Sequence, residues 1–179
     1  MKFEISRETL IKPLQLVAGV VERRQTLPVL SNILLVLDGN QLSMTGTDLE
    51  VELIGRVEIE SGFQSGEVTV PARKLMDICK SLPDSASLKM ELDDNKLIIR
   101  SGRSRFTLST LPPSDFPSAE ESSEAIEFSI SQERLKEMLD STSFAMAQQD
   151  VRYYLNGLLF EVSPNYLRVV ATDGHRLAM

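Results

Sequence analysis

Residues 153–179, YYLNGLLFEVSPNYLRVVATDGHRLAM, decide the fold because they repeat a pattern that occurs earlier in the chain. When the sequence is shifted by about 125 residues without a gap, about a dozen identities fall within about fifty positions, several times what chance gives. FEISRE at residues 3–8 aligns with FSISQE at residues 128–133, and Thr47-Asp48 aligns with Thr172-Asp173. The sequence therefore predicts a tandem duplication of one structural unit.

The second copy is shorter than the first. Met179 corresponds to Ile54, which lies less than halfway through a first copy that extends to residue 110. We therefore expect either a piece of a longer protein or a truncated second unit.

Bulk composition is that of an ordinary soluble globular protein. The chain has 179 residues, of which 42% are hydrophobic and 25% charged. No apolar run approaches the length of a membrane span, and the N-terminus lacks an apolar signal core. The single cysteine, Cys79, excludes an intramolecular disulfide, which fits a reducing cytoplasm.

The charge is unevenly distributed. A net charge of −7 argues against a nucleic-acid binder that uses a broad basic surface. Basic residues nevertheless outnumber acidic ones in residues 6–24 and in the predicted helix at 71–82, whereas residues 48–60 and 115–127 are acidic. Local charge can therefore decide what binds.

Residues 1–110 are predicted to contain the order strand, helix, three strands, twice. Ser6 is a predicted N-cap, Pro71 begins the second helix, and Asp38-Gly39-Asn40 is a strong hairpin signal. Two helices and about eight strands indicate an α+β unit with both helices on one face of a largely antiparallel sheet.

The rest of the chain is predicted to be a linker and the start of a second unit. Residues 111–127 are rich in Pro, Ser and Glu and have no period, as is typical of a domain boundary. After the linker, the predicted elements are a helix with Ser131 as N-cap and four strands. A strand at Glu127–Ile130 precedes the helix, and the others lie at Leu155–Val162, Leu167–Ala171 and from Arg176 onward.

Catalytic and metal-binding motifs are missing from the sequence. His175 is the only histidine, and there is no GxGxxG, GxxxxGK[ST], HExxH or GxSxG motif. Cys79 is interpreted as a core thiol rather than a nucleophile, because it lies on the apolar stripe of its helix. We expect no cofactor and favour binding over enzymatic activity.

Several blocks of sequence carry a resemblance to a known family. The chain resembles the bacterial β sliding clamps, the β subunits of DNA polymerase III, over its whole length. The blocks are MKF (1–3), TLP (26–28), TGTDLE (45–50), VPARK (70–74), SGRSRF (101–106), LSTLP (108–112), QDVRYYLNG (149–157) and ATDGHRLA (171–178).

The resemblance implies a DNA-clamp fold and a non-enzymatic role in replication. Family members have three such domains per chain and form a two-chain ring with sheets outside and helices around duplex DNA. The chain is similar to the N-terminal part, with a complete first domain at residues 1–110 and the start of a second at 128–179. Implied partners are double-stranded DNA, the DNA polymerase III α subunit, the clamp loader, other proteins with clamp-binding motifs, and a second copy of the full-length chain.

Four residues resemble the family's DNA contacts. Arg24 follows the first predicted helix, and the others, whose aromatic members could stack on unpaired bases, lie close together: Gln149, Tyr153 and Tyr154. The alternative for the tyrosines is that they start a strand, with one ring packed inward. The helix of the second unit is not basic overall, because Arg134 and Lys136 are opposed by three acidic residues.

A second group resembles the family's pocket for client peptides. Two leucines would supply apolar anchors, a glycine would allow close backbone approach, and polar side chains would form the rim. These residues are Leu155, Thr172, Gly174, His175, Arg176 and Leu177. The alternative is that Thr172-Asp173-Gly174 is an ordinary turn and Leu177 a core residue.

A third group resembles the ring seam, the face of the first domain toward the other subunit. It comprises Lys74, Ile78, Arg103, Arg105 and Phe106. The alternative for Phe106 is ordinary strand core, since it shares a face with Leu108 by alternation. A rival to the whole interpretation is a β-rich peptide-binding scaffold that never encloses DNA.

Overall fold

The computed structural model describes residues 1–21, 27–117 and 127–179. The chain divides into two compact units, residues 1–121 and 122–179. Arg24, a predicted DNA contact, lies outside the described residues.

The first unit contains the predicted order of elements. The first half consists of β1 (Lys2–Ser6), α1 (Arg7–Val20), β2 (Asn32–Asp38), β3 (Gln41–Thr47) and β4 (Glu52–Glu58). The second half consists of β5 (Gly66–Pro71), α2 (Ala72–Ser81), β6 (Ser87–Asp93), β7 (Lys96–Ser101) and β8 (Ser104–Ser109). Short 3-10 helices lie at Pro28–Ser31 and Pro113–Asp115.

Local sequence signals explain the element boundaries. The Ser6 hydroxyl accepts a hydrogen bond of 3.0 Å from the Thr9 amide, so it caps α1 as predicted. Gly39 has φ of +52° in the turn between β2 and β3, a conformation that favours glycine. Pro71 ends β5 and directly precedes α2.

The eight strands form two sheets rather than one, and all pairings are antiparallel. The strand orders are β4-β3-β2-β5 and β1-β6-β7-β8. Each half therefore gives its first strand to the other half's sheet: β1 pairs with β6, and β5 pairs with β2. The single sheet expected from the sequence is wrong in this respect, because long-range pairing leaves no local signal.

Both helices bury apolar stripes in a core shared with strands of both sheets. Leu10, Leu14 and Val17 of α1 are at most 1% exposed, and Leu75 and Cys79 of α2 are fully buried. α1 contacts β3, β4 and α2, whereas α2 contacts β5 and β8. The α+β prediction is confirmed.

α1 lies directly on the sheet backbone at two glycines. A Cβ on Gly46 would be 2.7 Å from the Val17 carbonyl oxygen, and one on Gly55 would be 2.9 Å from Cβ of Pro13. Side chains at these positions of β3 and β4 would therefore push the helix away from the sheet.

Part of the predicted linker packs on the first unit. The Leu111 amide donates to the Thr69 hydroxyl at 3.1 Å, and the same hydroxyl donates to the Leu111 carbonyl at 2.7 Å. Phe116 is buried against Val29 and Leu30. The predicted domain boundary at 111–127 stays a prediction, and residues 118–126 lie outside the described part.

The second unit has one α-helix and a three-stranded antiparallel sheet among its described residues. Its elements are α3 (Gln132–Thr142), β9 (Leu159–Ser163), β10 (Tyr166–Thr172) and β11 (Leu177–Ala178), in the sheet order β11-β10-β9. Ser131 caps α3 as predicted, accepting from the Arg134 amide at 3.3 Å.

One predicted strand of this unit is absent and another begins later than predicted. Residues 127–130 are not a strand, and a physical reason is available in the first unit, where the equivalent β1 depends on β6 for its ladder. The strand predicted at Leu155–Val162 begins only at Leu159, because Tyr153–Asn156 forms a 3-10 helix. The Leu155 carbonyl there accepts a hydrogen bond from the Ala147 amide instead of joining a ladder.

We predict that Gly46→Ala destabilises the first unit by about 1–3 kcal/mol, because the new methyl group would meet the backbone of α1. Gly19→Ala is the matched control: nothing lies within 4 Å of its Cβ position, and alanine favours the helix by up to about 1 kcal/mol. Urea unfolding of both variants measures the difference. Equal stability of Gly46→Ala and wild type would show that the helix has room to move.

Cys79 is predicted to be inert in the folded protein. Burial raises its pKa to about 11, although the nearby positive charge of Arg7 acts in the opposite direction. At pH 8 we expect a disulfide reagent to react roughly a hundredfold more slowly with the native protein than with the urea-unfolded chain. Similar rates in the two states would contradict the core assignment.

Candidate functional site

The turn between β10 and β11 is built by the side chains of Thr172 and Asp173. The Thr172 hydroxyl accepts from the Gly174 amide at 3.0 Å and donates to the Arg176 carbonyl at 2.7 Å. One Asp173 carboxylate oxygen accepts from the amides of His175 and Arg176, each at 2.9 Å. These two amide bonds are the main reason that the pKa of Asp173 is lowered.

The same turn occurs in the first unit at the equivalent position. The Leu49 amide donates to the Thr47 hydroxyl at 3.0 Å, and the amides of Glu50 and Val51 donate to one Asp48 oxygen at 2.9 and 2.7 Å. Leu49 has φ of +81°, and its counterpart Gly174 has φ of +88°. Three side-chain hydrogen bonds of the turn therefore recur in both units, in agreement with the duplication inferred from sequence.

All predicted pocket residues except Leu155 lie in this turn or next to it, and Leu155 lies before β9. Gly174, His175, Arg176 and Leu177 are exposed, while Leu155 and Thr172 are half-buried. Leu177 is 64% exposed, so its alternative assignment to the core is wrong. An exposed leucine beside polar groups is what a peptide anchor requires.

The loop before β9 carries three of the four predicted DNA contacts. Tyr153 is 82% exposed and Tyr154 is 68% exposed, with ring centroids 5.9 Å apart in an edge-on arrangement. The alternative, in which one ring packs inward from a strand, is therefore wrong. Gln149 is also exposed, and its φ of +56° places it in the left-handed region.

Sequence reasoning missed the residues that hold this loop together. The Arg152 guanidinium donates to both Asp150 carboxylate oxygens, from Nε at 3.0 Å and from Nη2 at 2.8 Å. Asn156 accepts from the Asp150 amide at 3.0 Å and donates to the Asp150 carbonyl at 2.9 Å. The only available signal was the position of these residues inside the QDVRYYLNG block.

A basic groove lies between α1 and α2 of the first unit. Gln15, Arg73, Asp77 and Lys80 are among its lining residues. Two cationic side chains, Arg73 and Lys80, and one acidic side chain, Asp77, line this groove. This agrees with the excess of basic residues found in the sequence at 71–82. Arg73 and Lys80 were not singled out as DNA contacts, although the basic composition of α2 pointed to them.

The predicted seam residues lie on α2, on β8 and in the turn before β8. Lys74, Arg103 and Arg105 are exposed, whereas Ile78 is only 9% exposed. Phe106 is half-buried and packs against the main core, which favours its alternative assignment in part. β8 is an edge strand, so one side of its backbone has no ladder within the sheet.

Two findings concern membranes and metals. Among the described residues, no helix is long and apolar enough to cross a membrane. In the same part of the chain, no group of three or more histidine, cysteine or acidic residues could hold a metal ion.

Comparison with known families agrees with the two-unit architecture. Residues 1–120 match the DNA polymerase III beta subunit, N-terminal domain, and residues 129–179 match the central domain of the same subunit. The chain belongs to the DNA polymerase III β subunit family.

Individual relatives carry the name beta sliding clamp. That of Pseudomonas aeruginosa is 66% identical over 179 residues, which are 100% of this chain and 49% of the relative. That of Escherichia coli K12 is 51% identical over the same 179 residues, again 49% of the relative. The chain thus spans about half the length of the curated relatives it matches.

Solved structures match equally well. The crystal structure of the DNA polymerase III subunit beta from Pseudomonas aeruginosa aligns with a TM-score of 0.92 at 66% identity, covering 99% of this chain and 48% of the other. Caulobacter crescentus pol III beta aligns with a TM-score of 0.87 at 43% identity, covering 99% of this chain and 49% of the other.

We predict that Asp150 stays ionised at unusually low pH. Its hydrogen bonds with Arg152 lower its pKa to about 2, against an ordinary value of about 3.9. The ion pair between Asp150 and Arg152 therefore contributes fully to the stability of the fold above about pH 4. This contribution is lost as the pH falls toward 2. Carbon-detected NMR at pH 3 should show an ionised carboxylate in wild type and a mostly protonated one in Arg152→Gln.

The control for this measurement is Arg134→Gln, which removes an exposed arginine paired with Glu137 at 3.2 Å on α3. It should leave Asp150 ionised at pH 3. A mostly protonated Asp150 in the wild-type protein at that pH would contradict the assigned geometry.

Proposed function

We propose that the chain is part of a DNA sliding clamp, a non-catalytic processivity factor that encircles duplex DNA and tethers a polymerase. The observation that carries the proposal is the tandem repeat of one clamp unit, matched by the family's N-terminal and central domains in that order. We assign residues 1–110 to the first domain, 111–127 to the linker and 128–179 to the second domain.

Enclosure explains how such a protein works without a strong DNA-binding surface. A ring holds DNA topologically, so its contacts can be weak, independent of base sequence and directed to phosphates. This fits a chain with net charge −7 whose basic groups are local. The proposed contacts are Arg24, Gln149, Tyr153 and Tyr154, with Arg73 and Lys80 of the helix groove contributing positive potential.

The turn at 172–177 is the proposed docking point for clients. A peptide from the DNA polymerase III α subunit, the clamp loader or another clamp-binding protein would bury its apolar side chains against Leu155 and Leu177. His175 and Arg176 would form the polar rim, and Gly174 would let a peptide backbone approach.

The β8 edge is the proposed seam between two copies of the full-length protein. Its exposed backbone groups and Phe106 can extend a sheet into a neighbouring subunit, and the exposed cations Lys74, Arg103 and Arg105 lie nearby. Ile78 would pack beneath the seam and support the exposed residues there. We assign the protein to the cytoplasm, where replication of a bacterial chromosome takes place.

The decisive experiment uses the protein as it occurs in its cells. An antibody against residues 1–110 should detect a band near twice the 20.0 kDa of this chain, since about three repeats of about 120 residues are expected. Once loaded, that protein should remain on nicked circular DNA in high salt and be lost when the circle is cut. Equal retention on both forms, or loss from both with salt, would favour the scaffold alternative.

Residues 1–179 alone are predicted not to form a closed ring, because the seam's partner face belongs to a third domain. Gel filtration should show no stable ring-sized dimer. A dimer that persists on dilution would refute this assignment of the seam.

Leu177→Ala in the cellular protein is predicted to weaken binding of an α-subunit peptide by roughly tenfold or more, since it removes an apolar anchor. Leu159→Ala is the matched control, because Leu159 is a similarly exposed strand leucine outside the turn, 62% against 64%. Fluorescence anisotropy with a labelled peptide measures both affinities. Equal losses in the two variants would count against the pocket.

A further inference from the structure

The loop that carries Gln149, Tyr153 and Tyr154 and the turn that carries His175 belong to different proposed sites. In the fold they meet at one side chain, Arg152. Its Nη2 atom donates to the Asp150 carboxylate at 2.8 Å and also to the Asp173 carbonyl at 3.2 Å.

Arg152 is fixed firmly on the loop side. Its own amide donates to the Asp150 carboxylate at 2.8 Å, in addition to the two bonds from its guanidinium. The Asp150 backbone is held in turn by both polar atoms of the Asn156 side chain. The guanidinium is therefore oriented before it reaches the turn, which reduces the entropy cost of its next contact.

On the turn side, Arg152 fits against Gly174. A Cβ added at Gly174 would lie 3.1 Å from Nη1 and 3.4 Å from Nη2 of Arg152. Asp173 is in turn paired with Arg176, whose Nε is 3.0 Å from the Asp173 carboxylate. Polar contacts thus run from the loop to the rim of the proposed pocket, through the Asp173 backbone carbonyl on the Arg152 side and the Asp173 carboxylate on the Arg176 side.

The first unit contains the same turn without this connection. The position equivalent to Arg152 is Leu27 at the shift of the repeat, and the position equivalent to Gly174 is Leu49. A leucine side chain at position 27 has no donor for a hydrogen bond to the turn at Asp48. The turn itself therefore forms without the arginine, and the arginine adds a link between two segments.

We propose that Arg152 is a positioning residue that ties the loop at 149–154 to the turn at 172–176. Binding of a ligand to one segment then changes the conformation of the other. The inference rests on the proposed function for the identity of the two ligands. A ligand that shifts the loop would move the guanidinium and the Asp173 carbonyl together. Coupling of this kind is reciprocal, so a client in the pocket would equally bias the loop.

The chain carries its own reporters for both ends of this link. Within residues 1–179, His175 is the only histidine, so in this chain its ring protons give a unique NMR signal at the turn. Tyr153 and Tyr154 are two of three tyrosines in a chain without tryptophan, so tyrosine emission reports mainly on the loop.

The first arm of the test needs no ligand. In Arg152→Gln, the amides of His175 and Arg176 should exchange with solvent roughly tenfold faster than in wild type, because the turn still forms but has lost its link to the loop and opens more often. Arg152→Lys should show most of this effect, since an ammonium group cannot hold two carboxylate oxygens and a carbonyl together.

This arm has two controls, which separate a local link from general loosening. Arg134→Gln should leave the turn unchanged, and within Arg152→Gln itself the equivalent amides of Glu50 and Val51 should keep their wild-type rates. Turn amides that stay within about twofold of wild type would overturn the proposal, as would equal acceleration of the β9–β10 ladder.

The second arm adds oligothymidylate at low salt as a probe for the loop. In wild type, tyrosine quenching and the shift of the His175 signal should saturate together, and in Arg152→Gln the quenching should persist while the His175 shift is lost. Quenching without any His175 response in wild type would overturn the coupling. If tyrosine emission does not change at all, the proposed DNA contact fails, and the exchange rates alone decide the role of Arg152.

Discussion

The seating of α1 on the sheet backbone is the contact on which the first unit depends. At Gly46 and Gly55, the strands contribute no side chain, so Pro13 and Val17 of the helix approach the backbone of β3 and β4 directly. Leu10, Leu14 and Val17 can then fill the core to near-zero exposure. Because protein interiors are close-packed, a change in the spacing between the helix and the sheet would disturb the packing of every buried residue in that layer.

The sequence predicted the elements of the first unit because each one has a local signal. Ser6 caps a helix, and Asp38-Gly39-Asn40 closes a hairpin, whatever the rest of the chain does. The division of eight strands between two sheets was not predictable in this way, since β1 and β6 are about ninety residues apart and nothing in either strand names its partner. The segment at 127–130 shows the same limit: its alternation is that of a strand, yet its hydrogen bonds would need a partner elsewhere.

The candidate sites show the same difference between features that have a local sequence signal and features that depend on long-range contacts. Resemblance to the family singled out residues of the turn at 172–177 and the tyrosines, most of which are exposed, whereas Asp150, Arg152 and Asn156 were missed. Their importance lies in hydrogen bonds that join residues six and twenty-one positions apart. Such bonds have no period, and polar residues near a turn are too common to single out. The comparison of the two repeats is more informative than either alone, because Leu27 and Arg152 occupy equivalent positions around the same turn.

The exchange of first strands between the two halves also determines the order in which the first unit can be completed during synthesis. A growing chain makes β1 first, but the strand it pairs with ends only at Asp93. The other sheet can close once Pro71 has emerged, since β2 then has both of its neighbours. For some twenty residues of translation, β1 therefore lacks its partner strand β6 while the other sheet is already complete, and unpaired strand edges of this kind favour aggregation.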